Sequence, residues 1–218
     1  MPTSDTDTHH VAVRRARAGD ADRVAELLSE ALADKYRPAY GDRARRAIRA
    51  VMLAEIAAGT PGYMVADAGG RVVGAAHLTC ADSPYVDWRG TLRSAIGRRG
   101  TWRADAVLAF LAHGPLSPGE GYVGEVAVDP AWRRRGVGDA VMSAVEEDAR
   151  RRGCDFLSLW VTAENAAARA LYEARGFRHV RTRRLPLGPR LFGARRLVLM
   201  HLSLARSPRR GGLDRAPA

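Results

Sequence analysis

Apolar positions along the chain switch between period-two runs and 3.6-residue stripes, a pattern that predicts strands interleaved with helices. Val11 to Arg17 alternates apolar with basic residues and reads as an edge or half-buried strand. Asp20 then sits as an N-cap before a helical stripe of Val24, Leu27, Leu28, Ala31 and Leu32. A second stripe follows Gly41, through Ala44, Ile48, Val51, Met52 and Ile56, and stops at Gly59-Thr-Pro-Gly62. Tyr63 to Ala66 and Arg71 to Cys80 are strands joined by the turn Asp67-Ala-Gly-Gly70. Further along, Tyr122 to Val128 is an apolar strand stopped by Asp129-Pro130, because proline cannot donate to a sheet ladder. Gly138 to Arg152 is a helix with Val141, Ala144 and Val145 inward and Glu146, Glu147 and Asp148 toward water. Phe156 to Val161 is a strand. Phe177 to Leu185 and Leu191 to Leu204 are two more, around Pro186-Leu-Gly-Pro189.

Residues 82–118 fit this rhythm least well. The segment is too long for an unstructured connection and carries a helical stripe of Val107, Phe110 and Leu111 within Trp102 to Ala112. It has two readings: a packing elaboration or homodimer contact, and a lid over an acceptor site that presents Tyr85, Trp88 and Trp102. Residues 1–10 and 205–218 lack apolar periodicity and are expected to be disordered tails around one domain spanning 11–204.

Composition narrows the setting. Thirty-five basic against 24 acidic side chains give a formal charge of +11, which favours an anionic ligand. Aromatic residues make up only 6% of the chain and do not interleave with the basic ones, so a nucleic-acid partner is disfavoured. No apolar run reaches membrane-spanning length and no secretory leader is visible, so a cytoplasmic protein is expected. Cys80 and Cys154 lie in apolar runs and read as buried free thiols. The adjacent His9 and His10 are read as incidental, and no metal site is expected.

The candidate chemistry begins where the Tyr122 to Val128 strand ends. Arg133, Arg134 and Arg135 lead into Gly136, Val137, Gly138 and Asp139, at the start of a helix. Glycines there let backbone N–H groups approach a bulky anion, and the helix adds unpaired donors and the positive end of its dipole. A P-loop would need Gly-Lys-Ser/Thr, and a Rossmann turn a third glycine or alanine; neither spelling is present. A second candidate follows the strand at 156–161. Asn165 caps a helix and Gly176 closes it, with Ala167, Ala170, Leu171 and Ala174 as the buried stripe and Tyr172 beside that stripe.

Arg133-Arg-Arg-Gly136-Val-Gly138 resembles the Arg/Gln-x-x-Gly-x-Gly/Ala signature of the GNAT acetyltransferases, and Asn165 to Phe177 resembles that family's Asn-x-x-Ala-x-x-Leu-Tyr-x-x-x-Gly-Phe. The resemblance is carried by residues 122–178. It implies an α/β (α+β) fold with a mixed central sheet of about six to seven strands flanked by helices, with 82–118 as an insertion between the third and fourth strands. It implies acetyl-CoA as co-substrate, with its pyrophosphate on the amides around Arg133 to Asp139. Val126, Ala127 and Val128 would lie along the pantetheine arm, and Asn165 beside the cofactor. Tyr172 matches the tyrosine near the CoA sulfur and would serve as general acid. Glu125 matches a position where several members place a base; by strand alternation Tyr122 lies on the opposite face and competes for that role. Another position for the base is here Trp160, which cannot take a proton. The expected reaction is direct acetyl transfer to a primary amine of a small molecule or peptide. Two alternatives are a protein N-terminal or lysine acetyltransferase and a non-catalytic acyl-CoA sensor.

Overall fold

The computed structural model describes residues 11–59, 62–83, 85–109, 113–185, 188–191 and 193–204; the proposed tails and His9 and His10 lie outside them. In chain order the elements are β1 (Val11–Arg15), α1 (Ala21–Ala31), α2 (Ala33–Tyr40), α3 (Ala44–Ala57), β2 (Tyr63–Ala68), β3 (Arg71–Cys80), α4 (Trp88–Leu108), β4 (Glu120–Val128), α5 (Val137–Arg151), β5 (Phe156–Thr162), α6 (Ala166–Ala174), β6 (Arg178–Arg184), the single turn α7 (Gly188–Leu191) and β7 (Arg196–Ser203).

Seven strands form one sheet in the order β1-β2-β3-β4-β5-β7-β6. Every neighbouring pair is antiparallel except β4 and β5, which run parallel. That parallel pairing is short: it joins Glu120–Val123 to Phe156–Leu159 and ends there. Past Val123 the two strands part, and among the described residues the β5-facing edge of β4 has no strand partner. Two apolar clusters flank the sheet. One packs α5, Tyr172 and Phe177 on Leu78, Val123 and Met200; the other packs α1, Tyr36 and α3 on Tyr63, Val65 and Ala75.

Several sequence expectations are corrected by packing. Asp20 does precede α1, but its carboxylate accepts from the Arg17 amide at 2.7 Å and from the Arg14 guanidinium at 2.7 and 2.9 Å, and not from the helix. The α6 stripe is rotated from the one expected: Tyr172 is buried with Ala168 and Leu171 half-buried beside it, while Ala167, Ala170 and Ala174 face water. On α5, Glu147 is exposed as expected, but Glu146 and Asp148 are buried. Asp148 is fully enclosed and accepts from Arg15 at 2.5 Å and Arg151 at 3.0 Å, which ties α5 to β1. Removing that carboxylate leaves Arg15 and Arg151 within reach of water, and Arg152 still paired with Asp82. Asp148→Ala is therefore expected to cost about 3 kcal/mol, the low end for breaking a buried pair, read as a lower urea midpoint at constant slope.

The insertion carries helix well before the expected stripe, of which Val107 lies in the helix while Phe110 and Leu111 lie outside the described residues. The α4 segment spans 21 residues, with a non-helical break at Gly97 (φ 78°, ψ 168°). Leu92, Ile96 and Ala104 pack on Ala47, Tyr40 and Val51 of α2 and α3. Tyr85, Trp88 and Trp102 are exposed. Cys80 and Cys154 are free thiols with Sγ atoms 3.2 Å apart, and burial, helped by that contact, pushes the Cys80 thiol up to about 12. Among the described residues no helix is long and apolar enough to cross a membrane.

Candidate active site

The parting of β4 from β5 opens a cavity of about 180 Å³ through the sheet. From the α6 side it is lined by Tyr172, Ala168 and Asn165, and from the opposite side by Lys35, Glu125 and Trp160. No described residue of 82–118 lines it, Tyr85, Trp88 and Trp102 included.

A bulge decides which side chains enter the cavity. On β3 and β4 the pairs are Thr79↔Tyr122, Leu78↔Val123 and His77↔Glu125, so Gly124 has no cross-strand partner. The extra residue puts Tyr122 and Glu125 on one face, correcting the simple alternation that set them on opposite faces. A glycine inside an apolar strand was the available signal. Both side chains line the cavity, and burial together with the Glu125 charge pushes the Tyr122 phenol well above its ordinary range.

Glu125 is the centre of a buried polar cluster. One carboxylate oxygen accepts from Lys35 Nζ at 3.1 Å and from the Tyr36 hydroxyl; the other accepts from the Tyr63 hydroxyl at 3.3 Å and lies 4.0 Å from His77 Nδ1. His77 stacks on Tyr63 and its Nε2 lies 3.1 Å from Glu55 of α3. Burial pushes the Glu125 proton affinity up, but Lys35, His77 and Tyr36 outweigh it and hold the carboxyl down at about 2. Glu125 is thus an ionised, clamped carboxylate. The sequence reading found Glu125 but missed Lys35, Tyr36, Tyr63 and His77, which reach it across 90, 89, 62 and 48 residues of chain.

Tyr172 is 7% exposed, its ring 5.6 Å from that of Phe177, and burial pushes its phenol up to about 12. Among the described residues its hydroxyl has no hydrogen-bond partner, although the residue borders the cavity. Asn165 caps α6 by accepting the Ala168 amide at 3.1 Å and lines the same cavity. Val126 is in the lining too; Ala127 points into the core on the α1 side and Val128 packs on the opposite cluster.

The Arg/Gly turn borders the α6 side. Gly136 is the N-cap of α5 in the left-handed region (φ 77°) with no side chain capping the helix, and a Cβ placed there would meet nothing within 4 Å. Arg134 is also left-handed, at φ 61°. Arg133, Arg134 and Arg135 are exposed, Arg133 Nε donates to the Val128 carbonyl at 3.3 Å, and Arg135 lies over the Trp132 ring at 5.4 Å. Val137 is buried, whereas the first-turn amides have no intrahelical partners. The Asp139 side chain pairs with Arg175 of the α6 end, which neutralises the one acid in the first turn of α5 and leaves the Asp139 amide at the helix start. Gly138 lies against Leu171, 3.3 Å from a Cβ placed on it, so the turn and the Tyr172 helix are packed neighbours. An uncapped, arginine-flanked helix start leading to an opened strand edge fits a diphosphate with an extended arm.

A family model described as "Acetyltransferase (GNAT) family" matches residues 25–177. The chain belongs to the GNAT acetyltransferase family. Its sequence is 44% identical over 59 residues to the [ribosomal protein bS18]-alanine N-acetyltransferase of Escherichia coli strain K12, a stretch covering 27% of this chain and 40% of that enzyme. It is 40% identical over 84 residues to the mycothiol acetyltransferase of Thermobifida fusca, covering 37% of this chain and 25% of that one. The match therefore spans less than half the length of either GNAT relative. Among solved structures, Ard1 from Thermoplasma volcanium superposes with a TM-score of 0.61 at 19% identity, covering 90% of this chain and 99% of that one. The structure of yncA from Salmonella typhimurium with its cofactor acetyl-CoA superposes at 0.61 and 20% identity, covering 91% and 96%. At such identities the likeness shows the GNAT fold, including the mixed seven-stranded sheet.

Proposed function

We propose that this protein transfers acetyl from acetyl-CoA to the primary α-amine of a small molecule or peptide, with Tyr172 as general acid and Glu125 as the anion that holds the amine. The observation that carries the reading is the cavity itself: one opening through the sheet borders Tyr172 on the α6 side and Glu125 on the other. The thioester supplies an activated acyl carbonyl. The amides around Gly136, Val137 and Gly138, with Arg133, Arg134 and Arg135, hold the diphosphate, and Asp139 keeps Arg175 in place beside them. The open edge of β4 at Val126, Ala127 and Val128 receives the pantetheine arm, and Asn165 borders it.

The state of Glu125 favours a class of amine. A carboxyl held at about 2 is a weak proton acceptor, so it orients an amine better than it deprotonates one. An acceptor must then arrive already neutral. An α-amine, titrating at about 8, is neutral in about one molecule in ten at pH 7, whereas a lysine-type amine at about 10.4 is neutral in fewer than about one in a thousand. Peptide N-termini and amino compounds of ordinary basicity are favoured over lysine side chains. The E. coli relative is named for an alanine N-acetyltransferase, which supports a peptide N-terminus as one such acceptor. The Tyr172 hydroxyl, unpartnered among the described residues, favours an enzyme over a non-catalytic acyl-CoA sensor.

The test is CoA thiol release from acetyl-CoA against a panel of free-amine peptides, small α-amines and N-α-blocked lysine. Turnover concentrated in the first two groups is expected. Acetyl-CoA binding with no turnover across the panel would favour the sensor, and turnover confined to blocked lysine would overturn the assignment of the amine.

A further inference from the structure

Lys35 is the single lysine in a chain with 35 lysine and arginine residues. It lies on α2, in the lining of the cavity that also borders Tyr172, with Nζ 3.1 Å from Glu125 and 4.9 Å from the centre of the Tyr36 ring. Its side chain is 29% exposed, so the amine is partly desolvated yet not sealed away. As a counter-ion for Glu125 alone, an arginine would serve: its fork matches a carboxylate at two points. What lysine has and arginine lacks is a nitrogen that can lose its proton and become a nucleophile.

We infer that Lys35 is an intramolecular acetyl acceptor, so that the protein acetylates itself at this position within its own active site. The inference rests on the acetyl-CoA reading above and adds a modification site to it. The neutral Nζ attacks the acetyl carbon, a C–N bond forms and the C–S bond breaks. The nitrogen gives up one proton to solvent past Glu125, and the departing sulfur takes one from Tyr172, which regains it from solvent. No oxidant or further reactant enters. An ordinary ε-amine is neutral only about one part in a thousand at neutral pH. Free lysine acceptors share this handicap; Lys35 differs from them in being already held in the cavity, so its attack needs no binding step, and since effective molarities for intramolecular attack reach about 10⁵–10⁸ M at the favourable limit, a slow, single-turnover transfer is expected. The product is a neutral amide, so Glu125 loses its nearest cation and the Glu125–Tyr36–Tyr63 cluster is left facing the cavity without it.

The experiment incubates the purified full-length protein with acetyl-CoA alone and follows its intact mass, with binding measured in parallel by calorimetry. The expected result is a gain of about 42 Da, one acetyl group per chain, abolished in Lys35→Arg, with tryptic cleavage after position 35 blocked in the wild type. CoA is expected to bind both forms, showing that the variant is folded and its cofactor site intact. Acetyl-CoA binding without a mass gain, or a gain mapped only to the chain's α-amine, would overturn the inference while leaving the transferase reading in place. Failure of the wild type to bind acetyl-CoA at all would remove both.

Discussion

Replacing Tyr172 with phenylalanine is expected to lower kcat by about 10²- to 10³-fold while leaving acetyl-CoA affinity within about twofold. The asymmetry follows from position. The ring packs against Phe177 and would pack equally well without its oxygen, whereas the hydroxyl has no partner among the described residues and borders the cavity. With its phenol pushed up to about 12 by burial, Tyr172 stays protonated throughout the working range, as a proton donor to a departing thiolate must. The wild-type rate should therefore show no falling limb from this group below about pH 11. Pre-steady-state and steady-state kinetics with a free-amine peptide read both quantities. A phenylalanine variant turning over at the wild-type rate would take Tyr172 out of the acid role and leave it a packing residue.

The second large effect is at Glu125. Glu125→Gln keeps the shape and removes the charge, leaving Lys35 and His77 facing an amide. A fall in kcat/KM of about 10²-fold or more is expected, since the amide cannot stabilise a bound amine as it gives up its proton. Stability should move too. The Glu125 carboxyl is held at about 2 in the folded protein against an ordinary 4.5, so its contribution is fully present above pH 4.5 and lost as pH falls toward 2. That shift corresponds to about 3 kcal/mol, on the order of what breaking a buried pair costs. Urea midpoints measured from pH 7 to pH 2.5 should fall more steeply for the wild type than for the glutamine variant. Parallel curves would mean that Glu125 gains nothing from its neighbours.

Local signals explain which parts of this site could be read from the sequence. Pro130, Gly136 and Asn165 each dictate a backbone conformation by themselves, so the strand end, the turn and the α6 start were legible, while Tyr172 came from the resemblance of its helix to the GNAT motif. Helix α2 was not: Pro38 falls inside it, and only Tyr36 and Ala39 of its eight residues are buried, too few for a stripe. With α2 went Lys35 and Tyr36, whose meaning depends on a partner about 90 residues away. The α6 stripe was misplaced because alanines are inexpensive to leave in water, and the aromatic Tyr172 took the buried face from Ala167, Ala170 and Ala174. Asp148 was read as solvated because nothing near it in sequence announces Arg15. Gly124 was the one overlooked local signal, and its bulge is what brings Tyr122 and Glu125 to the same face.

The central claim is that the turn before α5 holds the diphosphate of acetyl-CoA so that its acyl end reaches Tyr172. Calorimetric titration of acetyl-CoA into the wild type and Gly136→Asp tests it most directly. Gly136 has φ 77° and open space around it, so aspartate would fit sterically but would add backbone strain and a negative charge beside the diphosphate. One site per chain and a loss of affinity of about 100-fold or more in the variant are predicted. Equal affinity in the two proteins would contradict the account.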